Sequence, residues 1–516
     1  MCGGGSSVED RRGIGSVRVV IMMQAAPVGK TRPPTARLGL GLVSGAVTVL
    51  LLVTSGGYGY HRDELYFIRA GAEPAFGYVD QPPLAPLLAH ALDVVFHGSL
   101  VGLRIPSALI SGLIVLITGL IAREFGAARG AQVLAAGAIA VASVLLIVGH
   151  TLSTTIIDLL VWTLITWLVV RSLRDGGRGW LLVGLVAGVG LENKLLPAVL
   201  LGALLLGVLV AGPRRALRSP WPWLAGLLAL VLWAPNLAWE VANGFPQFAL
   251  AGAIAGGSST SSQPWYLFIP YQLLLVSPVL VPVWALGWWR LARDPELRTW
   301  RGFAVAYLLL VVVFAATSGK PYYLAGFFPA LLAAGSTPVL GWARATAFRR
   351  WLLGAALALS LAVSSVLGLP LVPAAQLADT PVTAVDPDAG ETVGWPRFAD
   401  TVAQVRAGLP DQHVAVLTQN YGDAGAVDHY LPALGPAHSG QNSYWFWGPP
   451  PEDATAVIVI GMPAPQVRAL FARVDLAARI DDGVGLHNQE QGQPVWVARD
   501  PVAPWAQLWP QLRRLS

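Results

Sequence analysis

The sequence predicts a polytopic α-helical membrane protein with about eleven spanning helices and a small α/β domain at its C-terminal end. Three observations lead there. Only 12% of the 516 residues are charged and 54% are hydrophobic, whereas a soluble globular chain carries about 25% charge. Apolar runs recur from residue 38 to residue 372, each near the ~20 residues that a helix needs to cross a ~30 Å hydrocarbon core. Beyond residue 373 the pattern changes to short segments of alternating strand and helix character.

Residues 1–37 are rich in Gly, Ser and Arg and are expected to form a disordered cytoplasmic tail, with no cleavable signal pattern and with Met22 and Met23 as alternative starts. The one cysteine, Cys2, lies in that tail, so no disulfide is expected within the chain. The membrane domain is placed at 38–373, with spans near 38–57, 104–122, 130–149, 152–170, 179–192, 195–211, 221–240, 265–289, 302–318, 321–342 and 351–372. Arginines fall in alternate connections: Arg32 and Arg37, Arg123 and Arg129, Arg171 to Arg178, Arg214 to Arg218, Arg290 to Arg301, and Arg344 to Arg350. These connections are expected to be cytoplasmic. The loops holding Asp63 and Asp80, the turn at Glu192-Asn193-Lys194, the loop 241–264 and the turn at Lys320 then face outside, as does residue 374 onward. No discontinuous helix or inverted repeat is expected.

In the region 374–516 strands are expected at His413–Gln419, Ala456–Gly461 and Pro494–Ala498, with helices at Ala424–Leu434 and Gln466–Ile480. The net charge of +5 conceals an asymmetry, because residues 379–516 carry −7 and residues 1–378 carry +12. The basic excess sits at the ends of spans, so it reads as membrane orientation and not as a nucleic-acid surface. No P-loop, dinucleotide fingerprint or zinc-spaced Cys/His cluster is present, so nucleotide hydrolysis as a power source is unsupported.

The residues that could carry chemistry gather at the expected outer face. Asp63-Glu64 and, shortly after, Asp80 lie beside the first span, where carboxylates are costly unless they bind or react. Adjacent residues on a helix diverge by ~100°, so one acid of the pair should face a site while the other caps a helix or pairs with Arg62 or Arg69. A solvated loop pair is the plainer alternative. Asp158 stands at the outward end of the fourth span, behind His150 and several hydroxyls; a structural acid is its alternative. His61 reads as a lone surface histidine before it reads as a metal ligand. Lysine is confined to Lys30, Lys194 and Lys320. The last two lie against the positive-inside trend and suit an anionic ligand such as a lipid-linked phosphate, or else snorkel from helix ends. Tyr322 and Tyr323 follow Lys320 and could form an aromatic belt. In the outer domain, Asn420 to Gly425 reads as a helix start. Ser439 to Gly448 reads either as a sugar-stacking platform or as packing onto the membrane domain.

Together, Arg62-Asp63-Glu64-Leu65-Tyr66, Gly77-Tyr78-Val79-Asp80-Gln81-Pro82-Pro83-Leu84, Asp158 and Gly319-Lys320-Pro321-Tyr322-Tyr323 resemble the bacterial glycosyltransferase family 39-like membrane enzymes of the GT-C fold, relatives of protein O-mannosyltransferases and lipid A aminoarabinose transferases. The resemblance covers roughly residues 40–345. It implies transfer of a sugar from a polyprenyl phosphate to an acceptor protein, lipid or glycan at the outer face of the plasma membrane, with inversion. It makes Asp63 the general base, with Glu64 beside it, and gives the leaving phosphate to Lys320 and Lys194, with Arg62 or Arg104 in reserve. Tyr322 and Tyr323 would line the substrate site, and Asp80 and Asp158 would shape the acceptor cavity or hold a divalent ion; no other cofactor is implied. One departure is Gln81, where aminoarabinose transferases place lysine, which weakens any inference to their donor or acceptor. A transporter or flippase of lipid-linked sugars and a non-catalytic envelope scaffold are the competing readings.

Overall fold

The computed structural model describes residues 32–256 and 264–515. Most of the expected tail, with Cys2, Met22, Met23 and Lys30, lies outside the described residues, as do 257–263 of the expected loop. Sixteen helices build the first part: α1 (Arg37–Thr54), α2 (Arg62–Ala72), α3 (Leu84–Val95), α4 (Leu100–Glu124), α5 (Arg129–Ala140), α6 (Ser143–Gly149), α7 (Thr154–Asp175), α8 (Trp180–Leu191), α9 (Leu196–Ala211), α10 (Trp221–Ala242), α11 (Pro246–Ala255), α12 (Phe268–Val276), α13 (Val281–Arg293), α14 (Arg301–Ala316), α15 (Phe328–Arg344) and α16 (Ala347–Gly368). Among the described residues seven helices are long and apolar enough to cross a membrane, and up to nine if each of two bent pairs counts once. The shorter α8 and α9 fill the fifth and sixth expected spans.

Two of the expected continuous spans are broken. α5 and α6 meet at 58°, and the α12 and α13 segments meet at 85°. Ser277 stands at the second break with φ of 77°, a backbone shape that ends a helix. The expected loops at Asp63 and Asp80 also contain helices, because α2 and α3 form there.

The helices differ in what surrounds them. α7 and α15 are buried on most of their circumference, and Trp162, Ile165, Phe328 and Leu331 on them are inaccessible. α1 and α16 lie at the periphery and present Leu38, Leu42, Val53, Leu359 and Val363 outward. So continuous an apolar exterior is unfavourable in water and is the surface that lipid wets. Close approach replaces large side chains at some helix contacts, as membrane helices commonly arrange. On α13 and α15 a side chain at Gly287 would collide with the Leu331 carbonyl, and one at Gly335 with the Val283 carbonyl.

The C-terminal part is a five-stranded sheet in the order β2-β1-β3-β5-β4, with β1 (Val414–Thr418), β2 (His438–Ser439), β3 (Ala456–Ile460), β4 (Phe471–Arg479) and β5 (Pro494–Pro501). β1 pairs in parallel with β2 and β3, while β5 runs antiparallel to β3 and β4. The helix expected at Gln466–Ile480 is corrected: it stops at Leu470, and Phe471–Arg479 is the edge strand β4. Ala, Leu and Arg favour a helix locally, but pairing with β5 overrides that preference. Arg473, Asp475 and Arg479 leave this edge charged, which protects it from pairing with other chains. Pro33–Ser516 forms one compact unit, in which the sheet domain is packed against the helices.

Candidate active site

The site starts from the first turn of α2. His61 and Glu64 form a reciprocal cap: the Asp63 N–H donates to His61 Nδ1 at 3.2 Å, and the His61 N–H donates to Glu64 Oε2 at 2.8 Å. Glu64 is fully buried. Its carboxylate receives Arg104 Nε at 2.9 Å and Nη2 at 2.8 Å, and the Leu152 N–H at 2.8 Å. Arg104 also donates to the carbonyls of Ser55 and Gly59, at 2.9 and 2.8 Å. This pair ties together the end of α1, α2, α4 and the connection into α7. Glu64 and Arg104, expected to act on substrate, are instead committed to each other, and Glu64 is the acid of the pair that caps the helix, one of the alternatives expected for it. Arg69 bonds Glu73 and Asp428, at 3.0 and 3.2 Å.

Asp63 points away from this cap, as one step of a helix requires, and its side chain is 36% exposed. Oδ1 accepts the Tyr421 hydroxyl at 2.7 Å and lies 4.0 Å from Arg62 Nε. Oδ2 has His61 Nδ1 at 4.0 Å. His61 is not the surface histidine expected. It is buried by the cap and turns Nε2 toward Asp388 at 3.9 Å. Arg62 reaches Glu391 at 3.6 Å and lies 5.9 Å over the Tyr421 ring.

Asp80 sits in the tight loop closed by Tyr78 N–H to the Gln81 carbonyl, 2.9 Å. Its two oxygens accept Tyr66 Oη at 2.7 Å and Asn442 Nδ2 at 3.3 Å. Burial, against these two bonds, raises its pKa to about 6. Asp158, on α7, is buried. Asp80 and Asp158 have different neighbours, and among the described residues no three His, Cys, Asp or Glu side chains gather as metal ligands.

Two lysines complete the cluster. Lys194, in the turn from α8 to α9, holds its ammonium 5.3 Å over the Tyr322 ring and 4.9 Å over the Tyr323 ring. Lys320 Nζ lies 6.0 Å from the Tyr322 ring. The two tyrosines thus face cations, with contacts of the cation–π kind. Burial pulls the Lys194 ammonium below its ordinary range, and the charges of Asp158 and Asp63 oppose that pull. The fold therefore brings Asp63, Asp80, Lys194, Tyr322 and Tyr323, with Lys320 and Asp158, into one charged neighbourhood.

Of the sheet domain's share in this neighbourhood, sequence reasoning gave the packing of Ser439–Gly448 as one of two readings and missed Tyr421. Tyr421 looked like part of an ordinary helix start, and its helix, Tyr421–Tyr430, does begin there. Its hydroxyl, however, meets a residue 358 positions earlier. The loop Ser439–Gly448 packs on α2: Tyr444 and Trp447 lie 6.0 and 6.2 Å from the Tyr66 ring, and Ser443 Oγ accepts the Val79 N–H at 3.0 Å. Nearby, Asp423 is inaccessible, with the side chains of Asn420 and Gln493 beside it. Burial, helped by the charge of Glu391 and opposed by those two side chains, raises it to about 8 from an ordinary 3.8. The folded protein therefore holds a proton that the unfolded chain releases, and this contribution is lost as pH rises toward and through 8. Between pH 6 and pH 9 the melting temperature of the wild type is expected to fall further than that of Asp423→Asn; equal falls would remove this account.

Residues 80–239 match the family model described as dolichyl-phosphate-mannose-protein mannosyltransferase. Over 312 residues the chain is 28% identical to the undecaprenyl phosphate-alpha-4-amino-4-deoxy-L-arabinose arabinosyl transferase 1 of Pseudomonas fluorescens, covering 55% of this chain and 52% of that protein. The chain thus spans about half the length of this curated relative. ArnT from Cupriavidus metallidurans, in its crystal structure bound to undecaprenyl phosphate, superposes with a TM-score of 0.62 at 16% identity, over 89% of this chain and 98% of that one. Its apo crystal structure gives 0.61 at 15% identity, over 90% and 98%. At these identities the structural likeness establishes the fold.

Proposed function

We propose that this chain, a GT-C-type membrane protein related to the O-mannosyl and aminoarabinosyl transferases, moves a sugar from a polyprenyl-phosphate donor to an acceptor hydroxyl. The reaction runs at the extracytoplasmic face of the plasma membrane, with inversion. The observation that carries this reading is the pairing of a half-open carboxylate, Asp63, with two ammonium groups, Lys194 and Lys320, in one neighbourhood.

The chemistry divides between them. Asp63 Oδ2 takes the proton of the acceptor hydroxyl as its oxygen bonds to the anomeric carbon, while the bond from that carbon to the phosphate oxygen breaks. The departing lipid phosphate gains negative charge, which Lys194 and Lys320 neutralise. The two tyrosine rings hold the Lys194 ammonium in place. Asp80, held by Tyr66 and Asn442, shapes the acceptor side. The broken helices do not favour a transporter, because Val141, Ala142 and Ser277 at the breaks bring no ionisable group.

A double substitution, Lys194→Gln with Lys320→Gln, tests the donor side. Losing one charge-assisted contact costs roughly 10- to 100-fold in affinity. Equilibrium binding of undecaprenyl phosphate to the purified protein in lipid nanodiscs is expected to weaken by at least that factor. Unchanged affinity would overturn the assignment of the phosphate to these lysines.

A further inference from the structure

The sheet domain touches the site at two carboxylates, through Tyr421 and Asn442. Tyr421 donates to Asp63 Oδ1 at 2.7 Å, and Asn442 donates to Asp80 Oδ2 at 3.3 Å. The contact is built to be firm. The Tyr421 ring lies 4.9 Å from the Tyr66 ring, and Arg62 lies over it. A side chain at Gly425, one helical turn on, would come within 3.1 Å of the Leu65 and Tyr66 backbone, so glycine lets the two helices approach. The Tyr421 N–H is held by Gln441 Oε1 at 2.9 Å, which joins the helix start to the loop carrying Asn442.

We propose that the C-terminal domain is a working part of the active site, in which Tyr421 is the positioning residue for Asp63. A carboxylate has two oxygens and a free rotation between them. With Oδ1 fixed by the phenol, Oδ2 is the oxygen presented to a proton, and the rotation that would lose that aim is blocked. The inference rests on Asp63 acting as the base. The groups that face Asp63 are His61 and Arg62 from its own helix, Tyr421 from the sheet domain, and Lys194, Asp80 and Tyr322 from the elements around it. Of these, Tyr421 donates directly to the carboxylate.

Tyr421→Phe deletes only the hydroxyl and keeps the ring against Tyr66. Two measurements on the full-length protein in nanodiscs keep the outcome decisive. The first is the rate of carbodiimide labelling of Asp63 at a single pH, read by peptide mass spectrometry. It is expected to rise several-fold in Tyr421→Phe, where the carboxylate is no longer held at Oδ1, and an unchanged rate overturns the proposal whether or not turnover is observed. The second is release of undecaprenyl phosphate from its aminoarabinose and mannose conjugates. There kcat is expected to fall by roughly 10-fold or more, with KM for the donor unchanged. A loss confined to KM would assign Tyr421 to substrate binding and overturn the positioning role. Full activity in Asp63→Asn would remove the base itself, and the labelling experiment would still decide whether Tyr421 holds that carboxylate.

Discussion

Asp63→Asn is expected to fold like the wild type and to transfer sugar at least 10²- to 10⁴-fold more slowly, the range that loss of a general base produces. The amide has the shape of the carboxylate, and its oxygen still accepts the Tyr421 hydroxyl. The cap of α2 does not use the Asp63 side chain, since His61 and Glu64 supply it. Melting temperature and undecaprenyl phosphate affinity should therefore stay near wild-type values while turnover collapses. A variant that loses affinity and turnover together would point to a binding role for Asp63.

The neighbouring acid should behave in the opposite way. Glu64 and Arg104 are 0% and 1% exposed at the side chain and bonded at 2.8 Å. Arg104→Met leaves the Glu64 carboxylate buried without its partner, which costs about 3–5 kcal/mol. Thermal unfolding in a mild detergent should show a large fall in melting temperature. Adding Glu64→Gln to Arg104→Met removes the stranded charge and should recover part of that fall. If Arg104→Met melts like the wild type, the ion pair is not the fastener of α1, α2 and α4. Two adjacent acids thus give two phenotypes, one kinetic and one structural.

Much of the helical arrangement was legible because hydrophobicity at membrane length is a local signal. Each of the eleven apolar stretches coincides with a helix or a bent pair. What was not legible has a common cause. α2 and α3 are only 11 and 12 residues long, and charges or a proline interrupt them, so neither gives the membrane-length apolar signal of the runs around them. β4 carries alanines and arginines that favour a helix, and only its partner β5 makes it a strand. The breaks at Val141 and Ser277 need no charge and no unusual composition.

The site divides along the same line. Asp63, Asp80, Asp158, Lys194 and Lys320 stood out because charge is rare in so apolar a chain. Which member of Asp63-Glu64 faced outward could not be read, since the partner that buries Glu64 lies 40 residues away. Asn442 lies in the loop read as a platform or as packing, and Tyr421 in a segment read only as a helix start, so nothing tied either one to a carboxylate. Only the packing of that domain onto α2 gives them a role.

The central claim is transfer from a polyprenyl phosphate under control of Asp63. It is tested most directly by following radiolabelled undecaprenyl phosphate released from sugar conjugates, with a membrane extract supplying acceptors, for wild type and Asp63→Asn side by side. The account predicts release by the wild type, coupled to label in an acceptor, and none above background in the variant. Equal release by the two proteins would contradict it.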